Sequence, residues 1–258
     1  MSATKSSPGL RWPSILWLVR HGQSAGNVAR DLAMQQGQLR IDLTGRDVDV
    51  PLSALGRQQA KALGRWFGRG EDRPEVIMSS PYARALETMQ LFRQAGGSES
   101  LETHVDERLR EKEFGILDGL TTKGIHRLHP EQAEFRRRLG KFYHRPPGGE
   151  SWTDVIFRLR AVLDTVSLHH AGRPVMIVAH QVVVLCLRYI IEGLNEAEIL
   201  AIDRAGDIAN CAVTEYRFDP AVGHHGGLQL TRYNAVVPMD EHAALVTSEP
   251  DHMVAARG

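Results

Sequence analysis

Two short apolar runs constrain this chain more than anything else in it: Ile15-Leu16-Trp17-Leu18-Val19 and Val175-Met176-Ile177-Val178-Ala179. Both are β-rich, and each ends abruptly on a polar group, Arg20-His21 after the first and His180 after the second. Unbroken apolar runs of this length suit strands buried on both faces, as in a parallel sheet covered by helices. Glu75–Met78 is a weaker run of the same kind. Ala212–Phe218 alternates more and reads as a later strand, paired with Leu228–Tyr233 across a turn rich in glycine (Gly223, Gly226, Gly227).

Helical patterns fall between these strands. Ser53 is a suitable N-cap, with Leu55, Leu63, Trp66 and Phe67 following on one side. Ser151 and Asp154 have the spacing of a capping box, and Val155, Leu159, Val162 and Val166 recur at helical intervals behind them. Pro81 suits the first turn of a helix running through Met89 and Leu91. Alternating strand and helix predicts an α/β fold, a three-layer sandwich with a mostly parallel central sheet. One domain is expected over residues 15–237, with lid-like excursions at 28–50 and 112–149. An N-terminal tail (1–14) and a polar C-terminal tail (238–258) are expected to flank it, trailing or frayed.

Composition narrows the function. The chain has 258 residues and balances 31 Lys+Arg against 31 Asp+Glu, which argues against nucleic acid or an anionic membrane as partner. No stretch has the length of a signal peptide or a membrane span. The two cysteines, Cys186 and Cys211, cannot build a disulfide framework, so a reducing cytoplasm is expected, although one bridge between them stays open. Oligomeric state is not legible. His126/His129, His169-His170 and His224-His225 lack Cys or carboxylate partners at ligand spacing, so they read as surface histidines, and no metal or cofactor is expected.

The chemistry gathers at strand ends. In open parallel sheets, ligands bind beyond the carboxyl ends of the strands. Arg20-His21-Gly22 stands at one such end, and Ala179-His180-Gln181 at another. Ser80-Pro81-Tyr82-Ala83-Arg84 leaves a third and puts Arg84 in an early helical turn. Two arginines and two histidines at helix N-termini make a site for a compact dianion, because a guanidinium matches phosphate oxygens bidentately and helix N-termini add oriented N–H donors. His21 is then either a further ligand or a nucleophile. Taken singly, a histidine that caps a strand is the blander reading of His21, a buried structural imidazole that of His180, and a solvated charge that of Arg84. The basic run Arg136-Arg137-Arg138 reads as a solvated helix face.

Five motifs occur in order: Arg20-His21-Gly22 with Asn27, Ser80-Pro81-x-x-Arg84-Ala85-x-x-Thr88, Leu109-Arg110-Glu111-x-x-Phe114-Gly115, Gly148-Gly149-Glu150-Ser151, and Ala179-His180. Together they resemble the histidine phosphatase superfamily, whose fold is phosphoglycerate-mutase-like, from about Leu16 to Phe218. The resemblance implies that His21 is the nucleophile forming a phosphohistidine. Arg20, Arg84 and His180 would hold the phosphoryl group, with Asn27, Gln23 and Gln181 beside it. Glu111 would protonate the leaving oxygen and then activate water, with Glu113 as runner-up.

The stretch from Lys141 to Ser151 is similar to the fructose-2,6-bisphosphatase branch, where residues matching Lys141 and Arg145 grip a second phosphate. That branch has an arginine where this chain has Leu185. The reading is a metal-independent phosphatase of the histidine acid type, acting on a small phosphorylated metabolite. Its alternatives are a cofactor-dependent phosphoglycerate mutase and a phosphate-binding module without turnover.

Overall fold

The computed structural model describes residues 11–96, 100–223, 226–236 and 246–248. In chain order these form β1 (Ile15–Arg20), α1 (Ala25–Gln35), α2 (Ala54–Arg69), β2 (Val76–Ser79), α3 (Ala83–Ala95), β3 (Glu102–Val105), α4 (Thr122–Leu128), α5 (Pro130–Tyr143), α6 (Trp152–His169), β4 (Pro174–Ala179), α7 (Gln181–Glu192), α8 (Glu196–Ala205), β5 (Val213–Asp219) and β6 (Gly227–Ala235). The strands make one six-stranded sheet in the order β3-β2-β4-β1-β5-β6. The pairs β1–β4, β2–β4 and β2–β3 are parallel, while β5 and β6 join antiparallel at one side.

The sheet is covered on both faces, which is why its central strands are continuously apolar. Successive side chains alternate between two cores. Leu16, Leu18, Met78, Val175 and Ile177 face α6 and α7, where Leu159, Val162, Val183 and Leu187 meet them. Ile15, Trp17, Val19, Ile77, Met176 and Val178 face α2 and α3, against Leu63, Phe67, Met89 and Phe92. Trp17 packs edge-on to Phe67 with ring centroids 5.3 Å apart.

The expected caps form. Ser53 Oγ accepts the Gly56 amide at 3.0 Å, and Ser151 with Asp154 closes a capping box on α6. Pro81 lies just ahead of α3, whose N-cap is Tyr82. Within the excursions, 28–50 contains most of α1 and a single 3-10 turn at Asp47–Asp49, and 112–149 contains α4 and α5. β3 carries no apolar pattern because it is an exposed edge strand. At the near end of the expected N-terminal tail, the Trp12 carbonyl accepts the Gly172 amide at 2.8 Å; residues 1–10 lie outside the described residues. So do His224 and His225 in the β5–β6 turn, and all of 238–258 except 246–248. Among the described residues, no helix is long and apolar enough to cross a membrane.

Candidate active site

Sheet order assembles the site. Strands β2, β4 and β1 are neighbours in parallel register, with Ser79 opposite Val178 and Arg20 opposite Ala179. Their next residues, Ser80, His180 and His21, therefore emerge side by side at one sheet edge. The ladder runs on into this edge, since His21 N–H donates to Ala179 O at 2.9 Å and Ser80 N–H to Val178 O at 3.0 Å. Gly22 is required here, because a Cβ on it would collide with the Gly56 carbonyl at the start of α2.

His21 and His180 are fully buried, with ring centroids 5.1 Å apart at 65°. His21 Nδ1 lies 2.6 Å from the Gly22 carbonyl. A carbonyl only accepts, so Nδ1 carries the proton and the lone pair is left on Nε2. That is the tautomer a nucleophilic imidazole needs. His180 Nε2 lies 2.8 Å from Ser80 Oγ, and its ring packs edge-on to Tyr82. Arg20 is buried and donates from Nη1 to the Ile208 carbonyl. Arg84, also buried, lies 4.9 Å from the Tyr82 ring centroid and donates to Asp47: Nη1 to O at 2.8 Å and to Oδ1 at 3.0 Å, Nη2 to Oδ2 at 3.1 Å. A cavity of about 340 Å³ opens beside this pair, lined by Ser24, Arg40, Asp47, Arg84 and Asp118 among others.

The remaining predicted residues divide. Asn27 is buried and commits its Oδ1 to the Ser24 amide and hydroxyl, so its donor end is what it offers an anion. Gln23 is placed likewise, its Oε1 accepting from Ser53 Oγ at 2.7 Å. Gln181 turns to Asp207, donating from Nε2 at 2.8 Å. Glu111 is buried, with Oε1 accepting the Lys112 amide at 2.7 Å. Glu113 is half-exposed and accepts from the Tyr82 hydroxyl at 2.9 Å. Lys141 is engaged by Asp203 at 2.5 Å. The Arg145 side chain is 66% exposed and holds the Gly149 carbonyl, so it does not join the buried cluster.

A solvated face for all three arginines of the basic run is corrected by the structure. Arg137 and Arg138 are exposed and paired with Glu134, but Arg136 is half-buried and turned inward. Burial, and after it the charge of Arg136, lowers the Lys112 ammonium to about 8 and the His144 imidazole to about 4. Lys141 is lowered too, chiefly by burial, which the adjacent Asp203 opposes. The charge of Arg136 thus reaches both Lys112, which lies near Glu111, and Lys141, which is paired with Asp203. The apolar residues of α5 do not mark its inward face, since Phe135 and Leu139 are exposed, so the pattern does not reveal which arginine faces in.

Several further residues position the site, and of these Gln59, Asn210 and Arg158 lie outside the motifs read from the sequence. Thr88 Oγ1 accepts the Gly22 amide at 3.1 Å, and Gln59 Oε1 accepts the Gln23 amide at 2.9 Å. Asn210 donates to the His21 carbonyl at 3.1 Å. Glu150 accepts from Arg158, Arg110 and the Glu113 amide, while Arg158 also donates to the Glu111 carbonyl at 3.2 Å.

Comparison with known proteins agrees with this geometry. The profile of the histidine phosphatase superfamily (branch 1) matches residues 16–234. The chain belongs to that superfamily. It is 32% identical over 181 residues to a probable phosphoglycerate mutase of Yersinia enterocolitica, covering 69% of this chain and 75% of that one. It is 31% identical over 175 residues to a 6-phosphofructo-2-kinase/fructose-2,6-bisphosphatase of Caenorhabditis elegans, covering 68% of this chain but only 33% of that longer protein. Among solved structures, a mycobacterial glucosyl-3-phosphoglycerate phosphatase in complex with VO3 is 30% identical. It superposes with a TM-score of 0.66 over 86% of this chain and 99% of that one. The histidine phosphatase relatives thus include both phosphatases and mutases, and the fold seen here is phosphoglycerate-mutase-like, as in the solved phosphatase.

Proposed function

We infer that this protein is a phosphomonoester hydrolase that works through a phosphohistidine on His21. The observation that carries the reading is the His21 Nδ1–Gly22 carbonyl contact at 2.6 Å within a buried cluster of Arg20, Arg84 and His180. His21 Nε2 attacks phosphorus and the ester P–O bond breaks. Glu111, protonated, gives its proton to the leaving oxygen. Water then attacks the phosphohistidine, Glu111 takes a proton from that water, and inorganic phosphate leaves with His21 restored. The guanidiniums of Arg20 and Arg84 and the imidazole of His180 stabilise the charge on the equatorial oxygens, where phosphoryl transfer gains most. No step calls on a metal or cofactor.

The substrate is a small phosphorylated metabolite that carries a second acidic group. Lys112 and Arg136 support this, since two neighbouring cations that burial disfavours are stabilised by an anion between them, as Asp203 already stabilises Lys141. Both cysteines are buried free thiols, in keeping with a reducing, cytoplasmic setting. Mutase activity is the second reading, favoured by the probable mutase of Yersinia enterocolitica. In that case the phosphohistidine returns its phosphoryl group to an acceptor hydroxyl in place of water.

The test is acid quench with a labelled phosphomonoester, followed by the His21→Ala variant. Acid-labile phosphate on the wild type, lost together with hydrolysis in a folded His21→Ala protein, is the expected result. Acid-stable phosphoprotein, or undiminished turnover by the variant, overturns the assignment. Following 2- and 3-phosphoglycerate separates the two readings, because only a mutase interconverts them faster than it releases phosphate.

A further inference from the structure

A second cluster lies away from the phosphoryl pocket. Glu102 and His104 stand two residues apart on edge strand β3, so their side chains share one face. His170, the C-cap of α6, meets them there. Glu102 Oε1 is 2.7 Å from His104 Nε2, and the rings of His104 and His170 are 5.5 Å apart. One ligand atom from each of the three residues lies within 4.8 Å of the other two. We propose that Glu102, His104 and His170 bind a divalent transition-metal ion of the zinc type, which ties the edge strand β3 to the end of α6.

Two imidazoles and a carboxylate form a donor set that suits borderline cations such as Zn²⁺ over Mg²⁺ or Ca²⁺. In tetrahedral zinc, ligand atoms sit about 3.3 Å apart, so the present spacing requires only small rotations of side chains, two of which are exposed. An independent observation points the same way. His170 is only 5% exposed, yet its Nδ1 is buried without a hydrogen-bond partner. A buried ring nitrogen in that state is costly unless something binds it. Arg173, which donates to Glu102 at 2.8 Å, opposes a cation here. It is also bonded to Glu75 at 3.1 Å and keeps that anchor if Glu102 turns to a metal.

The location makes this ion structural. Glu102 is in register with Val76 at the start of β2, whereas the phosphoryl site begins at Ser80, about 13 Å further along the strand. β3 is a four-residue edge strand that pairs on one side, with β2, so a metal would give it a second tie. The sequence hides the site because the carboxylate that His169-His170 lacks locally is supplied by a remote strand.

The experiment titrates Zn²⁺, and separately Co²⁺, into the full chain after a chelator has stripped it. Wild type is expected to bind one equivalent, to gain a few degrees in Tm, and to give Co²⁺ bands of tetrahedral intensity. His104→Ala and Glu102→Gln change exposed side chains. They should bind at least about tenfold more weakly and lose the Tm gain, while hydrolysing an aryl phosphate at the wild-type rate. His21→Ala should keep the equivalent, which separates this cluster from the imidazoles of the phosphoryl pocket. No saturable binding by wild type, equal binding by the two β3 variants, or loss of the equivalent in His21→Ala each overturns the proposal.

Discussion

The carboxylate of Asp47 straddles the guanidinium of Arg84, oxygen to nitrogen, at 3.0 and 3.1 Å. This is the two-pronged contact that a phosphoryl group would make with the same arginine. In the proposed function, where Arg84 holds the phosphoryl group, substrate has to displace an anion the protein itself supplies, carried on the loop between α1 and α2. Removing it with Asp47→Ala is expected to tighten inorganic phosphate or vanadate about fivefold, equivalent to about 1 kcal/mol for a partly exposed ion pair. Inhibition constants for both anions, measured on wild type and variant, check this. Unchanged or weaker inhibition would show that Asp47 does not compete for Arg84.

Glu150 and Arg158 are both nearly buried and hold the segment that carries Glu111. Burial raises the Glu150 carboxyl pKa, but the hydrogen bond and charge of Arg158, with help from the Glu113 amide and Arg110, more than reverse this and leave it low. A carboxyl lowered on folding stabilises the protein above its unfolded value near 4.5, and the gain is lost as pH falls through the folded value. Glu150→Ala strands Arg158 and should cost about 3 kcal/mol. The variant should also lose part of the wild type's acid sensitivity. Urea midpoints at pH 7 and pH 4 read both effects.

Lys112 predicts an alkaline signature. Its ammonium is lowered to about 8, first by burial and next by Arg136. Below pH 8 the folded protein bears the cost of a buried charge. Between about 8 and 10.5 the unfolded chain binds more protons than the folded one, so this residue makes stability rise with pH, by about 3 kcal/mol at most. Lys112→Met should abolish that rise. With a substrate that carries a second acidic group, kcat/KM should fall on the alkaline side near pH 8 in wild type, while an aryl phosphate without one shows no such limb. Identical profiles for the two substrates would remove Lys112 from substrate binding.

Thr247 acts at a distance. Its hydroxyl accepts from Gln59 Nε2 at 2.9 Å and donates to Asn210 Oδ1 at 2.8 Å, while Gln59 and Asn210 hold the Gln23 amide and the His21 carbonyl. Its carbonyl accepts the Asn210 amide at 2.7 Å. In the proposed mechanism, loosening this relay misplaces His21 without touching substrate. Thr247→Val is therefore expected to lower kcat about threefold to tenfold at nearly constant KM. Thr247→Ser, which keeps the hydroxyl, should restore it, and a change confined to KM would contradict the relay.

What the chain reveals on its own is whatever depends on local pattern. The runs before Arg20 and His180 are apolar because their strands are covered on both sides, and that pattern is visible without coordinates. Ser53 and Ser151 announce helix starts because a capping hydroxyl bonds to an amide three residues on. The five motifs place Arg20, His21, Arg84, Glu111 and His180 on elements whose ends must face one edge of a parallel sheet. β3 is missed because an exposed strand needs no apolar side chains, and Arg136 is misjudged because the apolar Phe135 and Leu139 of α5 face outward.

Only tertiary structure decides which distant groups meet. The proton on His21 is set by its neighbour's carbonyl orientation, and Arg84 finds Asp47 across a loop closure. Glu102 and His104 reach His170 because β3 pairs with β2 at the sheet edge. The Arg84–Asp47 contact and the approach of β3 to His170 join residues far apart along the chain. Their energies come from burial and partnership, which no local pattern of residues encodes.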